Sequence, residues 1–153
     1  MNYFWASDIL KASGISFFIK CLTSKYFTFQ GRAQRSEFWY FVLFYLVVLF
    51  IAGLIDGLAG FTYVIDGAEG DEDRGILTTI IIILTFLPYL SVAIRRLHDL
   101  NRTGWWLWLL IVPIVNFYLI VLLCFQGTVG SNHFGIDERN PDIKGRSELL
   151  PEF

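Results

Sequence analysis

Three long runs without charge divide the chain. The first starts at Phe38, is free of charge to Ile55 and stays mostly apolar to Ala59. The second runs from Ile76 to Ile94 and the third from Trp105 to Phe125. Their charge-free parts hold 18, 19 and 21 residues. At ~1.5 Å of helical rise per residue, 18 residues reach ~27 Å, close to the hydrocarbon thickness of a bilayer. Each run therefore predicts a transmembrane helix, with spans at about 38–59, 76–94 and 105–125. The second run is rich in β-branched residues but too long for a strand. Its Pro88 predicts a kink, with the freed carbonyl met by Thr85 or Ser91. Pro113 and Asn116 interrupt the third run. Dividing it at Pro113 leaves pieces of about ten residues, too short to cross, so one span is expected. Asn116 in hydrocarbon is expected to hydrogen-bond to another helix, and Gly53 and Gly57, four apart on one face, to admit a neighbouring helix.

The polar stretches between the runs carry less pattern. In residues 2–24, Asn2, Ser13, Ser16, Lys20 and Thr23 share one side of a helical wheel. An amphipathic helix lying on the membrane fits this, and so does a loosely ordered arm, because Asp8 and Lys11 fall off the polar side. Residues 60–75 read as an acidic, glycine-broken loop without EF-hand spacing. Asp56, just before it, is expected at the interface, where a carboxylate is tolerated at a helix end. From Gln126 onward the chain is polar and turn-rich, and little packed structure is expected there. The organisation expected is an interfacial segment 1–26, a membrane domain 27–138 and a polar tail 139–153.

Composition agrees with the runs. Hydrophobic residues make up 55% and charged residues 17% of the 153. A water-soluble domain carries about a quarter charged residues, so this chain lacks the polar surface that water requires. The net charge of -2 says little, but the positions of lysine and arginine say more. Five precede the first run (Lys11, Lys20, Lys25, Arg32, Arg35), one follows it (Arg74), and three lie between the second and third (Arg95, Arg96, Arg102). The positive-inside rule then predicts a cytoplasmic amino terminus, and three spans put the tail outside. Arg139, Lys144 and Arg146 argue against that last step. No cleavable signal pattern stands at the amino end. The two cysteines and two histidines have no zinc spacing, and no disulfide is expected.

Candidate chemistry gathers between the second and third runs, at Arg95-Arg96-Leu97-His98-Asp99-Leu100-Asn101-Arg102. His98, Asp99 and Asn101 form a polar hinge of unknown role. Asp99 stands four after Arg95, which suits an ion pair on one helix face. The functional alternative is a metal or acid/base pair of His98 and Asp99, with His133 and Asp137 available to complete it, but a metal needs three or four convergent ligands. The simpler expectation is a polar turn. Arg32, Arg35, Arg95, Arg96 and Arg102, with Trp105 and Trp106, then meet anionic lipid headgroups. Nucleic acid does not suit arginines that hug span ends in an acidic chain. No metal, cofactor or catalytic set is expected.

Three blocks carry a resemblance: Phe27 to Trp39 (FTFQGRAQRSEFW), Arg95 to Trp106 (RRLHDLNRTGWW) and Gly127 to Asp137 (GTVGSNHFGID). With them the chain resembles the domain-of-unknown-function family 805, small multi-span proteins of the bacterial cytoplasmic membrane. The resemblance covers about residues 20–138. It departs from the family pattern at Glu138, where a proline is usual. It implies an inner-membrane location and supplies no reaction. The expectation is an all-α integral membrane bundle of three transmembrane helices with an interfacial amino-terminal helix. The expected role is that of a non-enzymatic accessory or scaffolding component contacting anionic lipids, able to form a homo-oligomer. A small transporter or channel subunit is the alternative, and a membrane enzyme using His98 and Asp99 comes third.

Overall fold

The computed structural model describes residues 14–64 and 73–135. The elements are α1 (Gly14–Leu22), α2 (Arg35–Ala59), β1 (Thr62–Val64), β2 (Asp73–Gly75), α3 (Ile76–Asp99), a 3-10 helix (Gly104–Ile111) and α4 (Pro113–Cys124). The first two charge-free runs are thus single helices of 25 and 24 residues, long and apolar enough to cross a membrane. Only 17% and 28% of their most apolar windows are buried. Phe50 and Leu58 on α2 and Ile83 and Phe86 on α3 stand exposed. Apolar faces of this extent mark contact with something other than water. The described residues divide into two compact units, one of residues 14–26 and 40–89, the other of 27–39 and 90–135.

In the first unit α1 lays Phe18 against Phe41 and Phe44, at ring-centroid distances of 5.3 and 5.9 Å, and buries Cys21. Residues 14–22 of the expected interfacial stretch are therefore helical, and residues 1–13 lie outside the described residues. Tyr89 of α3 meets Phe41 and Tyr45 of α2, while Thr78 meets Asp56, so the two segments run antiparallel. Pro88 cannot donate to Leu84, and that freed carbonyl accepts from the Tyr26 hydroxyl at 2.6 Å. Neither Thr85 nor Ser91 fills this role: Thr85 bonds back to Ile81. Asp56 does more than tolerate an interface. Its buried carboxylate accepts from the Leu77 and Thr78 amides, at 3.0 and 2.8 Å, and from the Thr78 hydroxyl at 2.7 Å. It caps the amino end of α3 from another helix, satisfying donors that have no partner within their own helix. Gly60, at φ +66°, ends α2 in the left-handed conformation, with Phe61 N–H returning to the Asp56 carbonyl. Part of the expected acidic loop forms two short strands. Thr62–Val64 pairs antiparallel with Asp73–Gly75; residues 65–72 lie outside the described residues.

The second unit departs from expectation at the third charge-free run, which does not form a single helix. An eight-residue 3-10 helix ends at Val112, whose backbone is extended (φ -96°, ψ 110°), and α4 begins at Pro113. The Trp106 and Tyr118 rings lie 6.5 Å apart. End to end, at ~2.0 Å per 3-10 residue and ~1.5 Å per α residue, they would stand roughly 20 Å apart. The chain therefore doubles back at Val112–Pro113, and the span expected over 105–125 is a pair of short antiparallel arms. The break has a local cause, because the proline ring restrains Val112 to extended backbone and starts the new helix from its first position.

Candidate functional site: a buried arginine–carboxylate network

The end of α3, the segment before α2 and the loop after α4 meet within the second unit. α3 terminates in a six-residue cap. Arg102 N–H reaches the Leu97 carbonyl at 2.9 Å and Asn101 N–H reaches His98 at 3.0 Å, with Asn101 at φ +57°. Asparagine is the non-glycine residue that enters this left-handed position most readily, which gives Asn101 a role. Behind the cap, Arg32, Arg95, Arg96, Glu37 and Asp99 are all at most 4% exposed.

Asp99 stands at the centre. One carboxylate oxygen takes Arg32, with Nε at 2.9 Å and a terminal nitrogen at 2.8 Å. The other takes Arg96, three residues earlier on the same helix. Arg95 pairs with Glu37 at 2.6 Å rather than with Asp99. The forks of Arg32 and Arg96 are used further. Arg32 also donates to the Gly130 carbonyl at 2.5 Å and to that of Thr128. Arg96 donates to the carbonyls of Leu123, at 3.2 Å, and Phe125, at the carboxyl end of α4. Helix-end carbonyls carry partial negative charge, so they balance the one cation that two carboxylates leave over.

The loop after α4 is threaded through this network. Thr128 N–H and hydroxyl both reach the Asp99 carbonyl, at 2.8 and 3.1 Å. Asn132 donates to the His98 carbonyl at 2.8 Å. The His98 ring stacks on Phe134, with centroids 4.0 Å apart and planes 5° apart, while Nδ1 lies 3.3 Å from the Gly31 carbonyl. That contact makes Nδ1 the protonated nitrogen. A Cβ on Gly127 would collide with the Asp99 carboxylate, so glycine is required there for close approach.

The five arginines expected at the headgroups therefore separate. Arg32, Arg95 and Arg96 turn inward, because each finds a carboxylate there. Arg35 and Arg102 are exposed, and Arg102 lies 4.7 Å above the Trp106 ring. Trp105 is exposed. His133 is exposed and does not join His98, and Asp137 lies outside the described residues. Among the described residues no three His, Cys, Asp or Glu side chains are grouped to hold a metal. Gly53 lies 3.9 Å, by its would-be Cβ, from the Thr78 hydroxyl, and Gly57 borders open space in a cleft of about 440 Å³ beside Asp56. The buried Oδ1 of Asn116 has no hydrogen-bond partner among the described residues. Glu37, Tyr26 and Thr128 went unnoticed as partners. Glu37, a carboxylate beside two arginines at the head of a span, was the one signal available.

Two long apolar helices and a buried arginine–carboxylate network mark the class. The chain belongs to the family described as Protein of unknown function (DUF805), whose model matches residues 26–136. It is 40% identical to the inner membrane protein YhaH of Escherichia coli K12 over 126 residues, covering 82% of this chain and 98% of that relative. To the inner membrane protein YhaI of the same organism it is 37% identical over 115 residues, 74% of this chain and 88% of the relative. It is 27% identical over 149 residues to the uncharacterized protein YiiR, 80% of this chain and 92% of that one. These relatives and the two long apolar helices put the chain among bacterial inner-membrane proteins. No solved structure matches it.

Proposed function

We propose that this chain is a non-enzymatic, multi-pass component of the inner membrane, an accessory or scaffold that holds anionic lipid at one rim. One observation carries the reading. The side chains of the family-like blocks, Arg32, Glu37, Arg95, Arg96, Asp99 and Thr128, are spent on one another and on backbone carbonyls. A catalytic group must reach a substrate, whereas these groups hold the chain together. The outward chemistry is Arg35, Arg102, Trp105 and Trp106, cations beside indoles, which suits phosphate headgroups. The amino terminus is cytoplasmic, on the strength of the five lysines and arginines before α2. Self-association uses the open glycine face at Gly57.

Native mass spectrometry of the full chain released from mild detergent tests this. Wild type retains phosphatidylglycerol or cardiolipin, and the Arg35→Ala/Arg102→Ala double variant retains less, with its fold unchanged. Equal retention rejects the lipid role. A stoichiometric divalent metal would revive the enzyme reading through His98 and Asp99.

A further inference from the structure

We infer that residues 104–124 are a re-entrant hairpin, inserted into the acyl chains of one leaflet, so that the chain leaves and returns by the same membrane face. The inference rests on the membrane reading above and goes beyond it. Both feet of the hairpin are fixed to one residue cluster. Its first arm starts five residues after Asp99, with Gly104 against Ile94; a Cβ there would lie 3.2 Å from the isoleucine side chain. Its second arm ends at Leu123 and Phe125, whose carbonyls are held by Arg96, and Thr128 then binds the Asp99 carbonyl. A stretch that starts and ends on the Arg96–Asp99 pair has not crossed a bilayer.

The arm lengths agree. Eight 3-10 residues span ~16 Å and twelve α residues ~18 Å, against ~30 Å of hydrocarbon. Each arm reaches a little past the middle and neither crosses. The tip suits hydrocarbon, where unpaired backbone groups are costly. Val112 N–H bonds to the Leu109 carbonyl at 3.2 Å, the Val112 carbonyl accepts from Asn116 N–H at 2.9 Å, and Pro113 has no N–H to satisfy. Ile111 and Phe117 on either side of the turn are 69% and 75% exposed. Tryptophans and Arg102 stand at the base, as residues at headgroup level do. The leaflet is the occupant this surface fits: apolar at its tip, aromatic and cationic at its foot.

A consequence for topology follows. With no third crossing, the loop after α4 lies on the face of the amino terminus. Arg139, Lys144 and Arg146, which follow it in sequence, then join the other basic residues, leaving Arg74 alone of the twelve on the far side. The conflict that three spans created with the positive-inside rule disappears.

The test is cysteine labelling with a membrane-impermeant maleimide, on the full chain in right-side-out and inverted inner-membrane vesicles, in a Cys21→Ala/Cys124→Ser background. Gln30→Cys and Ser131→Cys, both at exposed positions, label from one face, Phe61→Cys from the opposite face, and Val112→Cys from neither. Labelling of Ser131→Cys from the Phe61 face means a third crossing and overturns the hairpin. Labelling of Val112→Cys from water overturns its insertion. Release of the chain by alkaline carbonate is a separate result, which rejects the membrane reading beneath it.

Discussion

Replacing Asp99 by asparagine is the sharpest perturbation of the network. The side chain keeps its shape, and the backbone carbonyl that holds Thr128 is untouched. What disappears is one negative charge shared by two guanidiniums. Arg32 and Arg96 are 4% and 0% exposed, so water cannot replace it. One amide oxygen can accept from one arginine; the amide nitrogen then points donor to donor at the other. Breaking a buried pair by removing one partner costs about 3–5 kcal/mol, because an uncompensated charge stays behind. That is a loss of roughly 100-fold to several thousand-fold in the folding equilibrium. Arg32 and Arg96 retain carbonyl partners at Thr128, Gly130, Leu123 and Phe125, which argues for the lower half of the range. Thermal unfolding in mild detergent, followed by tryptophan fluorescence, reads the change. Trp105, Trp106 and Trp108 all lie in the first arm of the hairpin, so they report the element that Asp99 anchors. Asp99→Asn should melt well below wild type, with the indole emission shifting first. A variant within about 0.5 kcal/mol of wild type, the range of ordinary surface changes, would refute the claim that this carboxylate organises the unit.

Three further outcomes follow from single contacts. Tyr26→Phe leaves the Leu84 carbonyl above Pro88 without its donor and should cost about 1 kcal/mol in the same melt; no change means the carbonyl has another partner. Gly127→Ala forces a methyl onto the Asp99 carboxylate and should cost about 1–3 kcal/mol, less in an Asp99→Asn background because the site is already disordered; strict additivity of the two would disprove their contact. Asn116→Leu removes a buried carbonyl oxygen that has no partner among the described residues and should stabilise the chain by roughly 1–2 kcal/mol; a loss of stability together with a shift from oligomer to monomer on native mass spectrometry would instead make Asn116 a contact between copies.

The two long apolar helices were legible because a charge-free run of helical spanning length has one economical solution in lipid. The third run obeyed the same rule and was misread, since length and lack of charge do not say whether a chain goes through or turns round. The informative residues were Val112–Pro113. Halves of about ten residues are too short to cross, which excludes two extra spans but equally describes two arms that fold back on each other. Three of the five arginines, Arg32, Arg95 and Arg96, were misread for a related reason. A guanidinium near a span end faces headgroups or faces inward according to whether a carboxylate waits inside. The partners here lie far away in sequence: Glu37 is 58 residues from Arg95, and Asp99 is 67 from Arg32. Local spacing suggested Arg95–Asp99 at four residues, where the helix instead uses Arg96–Asp99 at three and hands Arg95 to Glu37.

Those misreadings share one cause, and it explains why the three family-like blocks occur together. A hairpin held within a leaflet gains little from apolar contact with its neighbours, since lipid tails offer the same contact. Its feet need directional bonds. The block before α2 supplies Arg32 and Glu37, the block at the end of α3 supplies Arg95, Arg96 and Asp99, and the block after α4 supplies the carbonyls and the Gly127 approach that close the ring. None of the three has its charges satisfied alone: Arg32 without Asp99 and Arg95 without Glu37 would each be a buried unpaired cation. The blocks are therefore one element, divided in sequence by the helices whose ends they join.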